Sequence, residues 1–175
     1  RGRSVLDVYS NTGGWGLHAL SGGAESVTFI EKSEPTARRV IDNLELNGWN
    51  GDVIAAEAGR TLEEMVQQGR RFGVVVIDPP AFAKSRKTAG QALRGYERVN
   101  SLGLALVEPG GFFFPSSCSY HVHEDRFVET VSKAAATVGV RLRMLRRGEQ
   151  GPDHPVLPEV PETRYLKSYG FQVLL

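Results

Sequence analysis

Along the chain, short apolar runs alternate with stretches whose apolar residues recur every three or four positions. The runs Ser4–Tyr9, Ser26–Ile30, Asp52–Ala55, Gly73–Ile77, Gly111–Phe114, Val140–Leu145 and Ser168–Leu174 predict strands. Many of their residues are β-branched or aromatic, and they end in Gly, Pro, Ser or Asp. Between them the spacing predicts helices over Gly14–Ser21, Glu34–Asn47, Thr61–Gln68, Ala92–Val107 and Glu124–Val138. The second places Ala37, Val40, Ile41 and Leu44 on one face and stops before Gly48; the last turns Phe127, Val128, Val131 and Ala135 inward. Strand–helix alternation implies a parallel sheet with helices on both faces. The last two strands are joined by a Pro-rich loop from Gly148 to Lys167 instead of a helix, so the final strand can run antiparallel. No internal repeat interrupts this pattern, which reads as one domain beginning almost directly on its first strand.

With 175 residues, of which 41% are hydrophobic, the chain is long enough for one substantial core. Its single Cys excludes a disulfide framework and a cysteine-based zinc site. That suits a reducing cytoplasm, and no signal-like segment opens the sequence. Apolar stretches such as Leu102 to Val107 fall far short of the ~20 residues that cross a bilayer. A net charge of +1 does not by itself announce a polyanionic partner.

The first strand runs into Asp7-Val8-Tyr9-Ser10-Asn11-Thr12-Gly13-Gly14-Trp15-Gly16 and then a short helix. Glycines there permit a tight turn and close approach of backbone to ligand, and Glu31 at the end of the second strand can accept two ribose hydroxyls. Because Gly14-x-Gly16-x-x-Ala19 also fits a loose dinucleotide fingerprint, the turn alone does not separate a nicotinamide site from S-adenosylmethionine. Asp7 favours the latter: a carboxylate near the loop suits a cationic methionine end and repels a pyrophosphate. Ala56-Glu57-Ala58, after the third strand, offers an acceptor for an adenine amino group beside a small apolar wall. Ser10, Trp15, Lys32 and Asp78 complete the expected cofactor set.

Strand four ends in Asp78-Pro79-Pro80-Ala81-Phe82, where two prolines stiffen the exit and Phe82 offers a face for a planar base. Strand five ends in Pro115-Ser116-Ser117-Cys118-Ser119-Tyr120. A lone Cys is most often a small core hydrophobe, but Cys118 lies past its strand among polar residues. If strands four and five are neighbours, their ends lie about 5 Å apart, and Asp78 and Cys118 share one crevice. Carbon 5 of a pyrimidine is a poor nucleophile; addition of a thiolate to carbon 6 makes it electron-rich, and an acid near the ring nitrogen stabilises the developing charge. A free thiol is only a few per cent ionised near neutrality, so Cys118 needs activation, for which His121, His123, Lys84 and Arg94 are candidates.

These blocks, together with Gly95-Tyr96-Glu97-Arg98-Val99-Asn100, Asp153-His154-Pro155 and Tyr165-Leu166-Lys167, resemble the motif order of the large-subunit ribosomal RNA 5-methylcytosine methyltransferases over essentially the whole chain. The resemblance implies a doubly wound, Rossmann-like class I methyltransferase sheet of order 3-2-1-4-5-7-6 with strand seven antiparallel. It implies S-adenosylmethionine as methyl donor, S-adenosylhomocysteine as product and no metal. It also implies a cytosine of 23S-type ribosomal RNA as substrate, Cys118 as nucleophile and Asp78 as its base-contacting partner. Pro79, Pro80, Phe82, Lys84, Arg94 and Tyr96 are the expected substrate contacts. Family members carry an N-terminal RNA-binding module of the PUA type, absent here, so residues 1–175 read as the catalytic domain alone; dimerisation of a full-length protein is left open. Ala81 stands where the family often has Lys, and enzymes with a second cysteine beside the Asp-Pro motif are excluded.

Alternatives stay open: amino-group methylation of guanine or adenine, which needs no thiol, a catalytically silent RNA-binding remnant, or a nicotinamide-dependent enzyme. The charges Lys84, Arg86, Lys87, Arg94 and Arg98, against Glu97 alone, suit phosphate binding or a solvated loop. Arg141 and Arg143 share one strand face; Asp153-His154-Pro155 reads equally as an oriented His or a turn, and His18 as packing or surface.

Overall fold

The computed structural model describes residues 1–83 and 85–174, apart from the side chain of Arg86. Among the described residues, seven strands form a single sheet: β1 (Ser4–Val8), β2 (Ser26–Glu31), β3 (Asp52–Ala55), β4 (Phe72–Ile77), β5 (Val107–Ser117), β6 (Arg141–Gly148) and β7 (Lys167–Leu174). Five helices connect them: α1 (Gly14–Ser21), α2 (Glu34–Asn47), α3 (Ala58–Gln67), α4 (Ala89–Ala105) and α5 (Glu124–Thr137). The strand order is β3-β2-β1-β4-β5-β7-β6; β1 to β5 pair in parallel, and β7 runs antiparallel to both β5 and β6. This is the order expected from the sequence. Only a short 3-10 turn, Pro161–Thr163, interrupts the loop between β6 and β7.

Alternation along the strands divides the core. On β1, Leu6 and Val8 face one side and pack with Leu62, Tyr96, Phe113 and Phe127, beneath α3, α4 and α5. Val5 faces the other side with Val27, Phe29, Val40 and Leu44, beneath α1 and α2. α2 presents Ala37, Val40 and Leu44 as a buried stripe and ends at Gly48, which takes the left-handed conformation.

Several boundaries differ from expectation, and at α3 and β5 the reason is local; β6 runs Arg141–Gly148, not Val140–Leu145. α3 begins at Ala58, not Thr61, because Glu57 caps it with both carboxylate oxygens, on the Gly59 and Arg60 N–H groups at 3.0 and 2.8 Å. α4 spans Ala89–Ala105 instead of Ala92–Val107. β5 starts at Val107, because Pro109-Gly110-Gly111 forms an irregularity within the strand and not its boundary: Phe72 pairs with Val107, and Val74 already pairs with Phe112.

Candidate active site

Among the described residues, the non-glycine residues with positive φ lie in the loop after β1. Tyr9 and Asn11 both have positive φ, 63° and 50°, a conformation that costs non-glycine residues about 1–3 kcal/mol and clusters at ligand sites. The three glycines that follow have separate duties. Gly13, at φ 91°, is the left-handed N-cap of α1. Gly16 is a packing requirement, since a Cβ there would lie 2.1 Å from the Phe29 ring. At Gly14 a Cβ would meet nothing within 4 Å, and this glycine faces open space. Asp7, fully buried, accepts the Gly16 N–H at 2.8 Å, so its duty is to tie α1 to β1. Burial pushes its carboxyl up to about 7 against that hydrogen bond, with the charge of Asp78 adding to the rise.

Above the carboxyl ends of the strands lies a cavity of about 1240 Å³. That exceeds the roughly 300–1,000 Å³ of a single small-molecule site, which leaves room for two ligands. One half is walled by Ser10, Gly14, Trp15, Glu31, Lys32, Glu57 and Ala58. Glu31 is pinned there: one oxygen accepts the Asn11 N–H at 3.0 Å, the other the Ser33 N–H at 2.8 Å. Ser10 Oγ is buried without a hydrogen-bond partner, an open polar position. The capping hydrogen bonds hold the Glu57 carboxyl below its usual range.

The other half is walled by Asp78, Pro79, Pro80, Phe82 and Cys118, from the ends of neighbouring strands β4 and β5. Asp78 Oδ2 accepts the Trp15 indole N–H at 2.9 Å, and burial raises its carboxyl above the usual range. Half-buried Cys118 directs its thiol at the Pro79 carbonyl, 3.8 Å away. Burial and the nearby Asp78 charge push that thiol up, while Lys167 pulls it down.

Several expected residues lie elsewhere. Asp7, Gly13 and Gly16 support the cavity from behind without lining it. Tyr96 is not a surface contact: fully buried, it holds Phe82 at a ring separation of 4.7 Å and shares a hydrogen bond with Ser119 Oγ at 2.9 Å. Arg94 is exposed on α4, off the cavity wall, because the buried face of that helix is set by Ala92, Tyr96 and Val99. Lys84 lies outside the described residues. Arg98 is engaged by Glu63 at 2.7 Å. Arg141, Arg143 and His18 are exposed. His121 and His123 do not line the cavity.

The sequence reading did not anticipate the outer wall, built by Gln150, Gly151, His154, Tyr165 and Leu166 of the β6–β7 loop. Gln150 fastens it, donating to the His154 carbonyl and accepting the Tyr165 N–H, both at 3.0 Å. His154 Nδ1 meets the Tyr165 hydroxyl at 3.1 Å. The motif blocks were visible in the sequence, but their long-range pairing was not. Lys167 was visible only as part of a motif block, without a role. Among the described residues no group of His, Cys, Asp or Glu is placed to hold a metal ion, and no helix is long and apolar enough to cross a membrane.

Comparison with known proteins places this architecture. A Vibrio cholerae protein named Ribosomal RNA large subunit methyltransferase I is 37% identical over 98% of this chain and 45% of its own length. A Klebsiella pneumoniae protein of the same name is 33% identical over 98% of this chain and 44% of its own. The chain thus spans less than half the length of these curated relatives. In fold, it superposes on a Streptococcus mutans protein described as a candidate SAM-dependent methyltransferase, with a TM-score of 0.84 at 18% identity over 98% of this chain and 44% of that one. A 16S ribosomal RNA N2 G1207 methyltransferase of T. thermophilus, solved with AdoMet and guanosine, gives 0.65 at 19% identity over 98% of this chain and 38% of that one. The profile described as Conserved hypothetical protein 95 covers residues 1–111, from the start of the sheet through the two strand ends that present Glu31 and Asp78. On that match the chain belongs to the Conserved hypothetical protein 95 family, with the class I methyltransferase fold and with relatives named as large-subunit ribosomal RNA methyltransferases.

Proposed function

We propose that this chain is the catalytic domain of an S-adenosylmethionine-dependent methyltransferase acting on carbon 5 of a cytosine in large-subunit ribosomal RNA. The observation that carries the reading is a thiol and a carboxyl, Cys118 and Asp78, on one wall of a cavity with room for two ligands, beside the ring of Phe82. Amino-group methylation would have no use for the thiol.

The other half of the cavity suits the cofactor. Ser10 Oγ offers an unused polar atom, Gly14 an open approach, Glu31 a fixed acceptor for paired hydroxyls, and Ala58 an apolar wall. Glu57 retains its acceptor oxygens beside this wall while capping α3. When bound, S-adenosylmethionine supplies the electrophilic methyl group.

The protein's own residues do the rest. The Cys118 thiolate adds to carbon 6 of the pyrimidine, and the electron pair displaced toward N3 is met by a proton from Asp78. Burial keeps that carboxyl protonated to higher pH than an exposed Asp, as a proton donor requires. Carbon 5 is then nucleophilic. After methylation, carbon 5 gives up its proton to solvent, which restores the double bond and expels the Cys118 thiolate, while N3 returns its proton to the Asp78 carboxylate.

RNA containing 5-fluorocytidine tests this sequence of bonds, since fluorine at carbon 5 cannot leave as a proton does. Incubated with the protein and cofactor, it is expected to give a mass-stable adduct on Cys118, absent in Cys118→Ala. A Cys118→Ala protein with full turnover would overturn the covalent mechanism and favour amino-group chemistry.

A further inference from the structure

Lys167 occupies an unusual place for a lysine. It opens β7 directly opposite Ser117 in the antiparallel pairing with β5, and its side chain is buried. Its ammonium donates to the carbonyl of Ser119 at 2.6 Å. Lys167 is therefore attached to the residues on either side of Cys118, by strand register at 117 and by hydrogen bond at 119. Burying an ammonium is costly unless an anion faces it.

The nearby carboxylate is already engaged. Glu124, at the start of α5, takes the Tyr169 hydroxyl on one oxygen and Arg147 on the other, the latter at 2.6 Å. The charges felt by the thiol are those of Asp78, from the end of β4, and Lys167, from β7, and the thiol in turn acts on Tyr96 of α4; Lys167 feels Cys118 and Glu124. Of the charged groups acting on the thiol, Asp78 opposes its ionisation and Lys167 favours it.

We propose that Lys167 is the counter-ion of the Cys118 thiolate, and thereby the positioning residue that makes the nucleophile available for addition. The proposal rests on Cys118 being the nucleophile, and it replaces the histidines and Arg94 as the source of activation. Burial lowers the lysine to about 8, so it approaches the range in which ammonium–thiolate and amine–thiol forms exchange one proton between them.

Because the chain has one Cys, the alkylation rate by iodoacetamide, followed by mass spectrometry from pH 6 to 10.5, reports on Cys118 alone. Lys167→Met is expected to move the midpoint up by about one unit, slowing alkylation at pH 7.5 about tenfold. Lys167→Arg, which keeps the charge, is expected to restore most of the rate. Lys167→Gln keeps a donor for the Ser119 carbonyl but no charge; it separates electrostatics from packing and stands in if the Met variant does not fold. A Gln profile shifted like that of Met supports the counter-ion. A Gln profile lying on the wild type shows a structural hydrogen bond only and overturns it. Failure of wild type to form the fluorocytidine adduct would refute the covalent reaction, whereas the alkylation profiles would still decide the pairing.

Discussion

Replacing Gly16 by Ala asks how tightly α1 is seated on the sheet. The added Cβ would lie 2.1 and 2.6 Å from two carbons of the Phe29 ring and 2.8 Å from Val27 Cγ1. Phe29 is fully buried against Val40 and Leu44 and has nowhere to turn. Since carbon atoms settle at about 3.5–4.0 Å, α1 must lift by roughly 1.5 Å, which carries the Gly16 N–H out of reach of Asp7. Overpacking costs about 1–3 kcal/mol, and loss of a hydrogen bond to a buried carboxyl about 1–3 more. Alanine returns about 1 kcal/mol of helix propensity. The net loss is about 1–5 kcal/mol, which for a chain of this size lowers Tm by roughly 2–20 °C. Scanning calorimetry measures it, with Gly14→Ala as the matched control. There a Cβ meets nothing, so stability is expected to hold or rise by about 0.5–1 kcal/mol, while binding of S-adenosylhomocysteine weakens. A Gly16→Ala protein melting at or above the temperature of wild type would refute the seating argument.

Two other outcomes are expected. Asp7 titrates near 3.8 when unfolded and at about 7 when folded, so between those values the native state holds a proton that the unfolded chain has released. Stability should therefore fall as pH rises from about 4 to 7, by up to about 4 kcal/mol, and level off above 7; urea titrations should find Asp7→Asn flatter over this window and more stable than wild type at pH 8, and equal pH slopes would contradict the assignment. Tyr96→Phe removes the hydroxyl shared with Ser119 and should cost about 1 kcal/mol, or a few degrees of Tm; an unchanged Tm would mean that this hydroxyl contributes nothing.

Local pattern carried most of the fold. α1 and α2 are readable because their apolar stripes end at glycines that stop a helix. The strand order followed from resemblance together with the missing helix between β6 and β7. α3 and β5 were misjudged where one residue's duty depends on its neighbours: Glu57 reads as a loop acid until its carboxylate is seen capping, and Pro109-Gly110-Gly111 reads as a turn until β4 draws it into the sheet. That Glu31, Asp78 and Cys118 line one cavity was legible because strand ends of an open α/β sheet converge. Tyr96 was not, since sequence does not distinguish a tyrosine that touches a ligand from one that props up the residue that does. The role proposed for Lys167 was hidden for a different reason: it depends on a carbonyl 48 positions away.

The Gln150-fastened wall has an evolutionary consequence. The cofactor-side wall is made by strand-to-helix connections of β1, β2 and β3, whose geometry is locked into the sheet. The opposite rim hangs from a hairpin between two antiparallel strands and is tied mainly to itself, through Gln150, His154 and Tyr165. Lengthening or rewriting residues 149–166 therefore alters what is admitted without disturbing strand register or the glycine turn. On the proposed function, the wall that would hold the methyl donor and the rim that would admit the acceptor sit on separately mutable parts of one fold, so a lineage could alter its target while leaving the donor half intact.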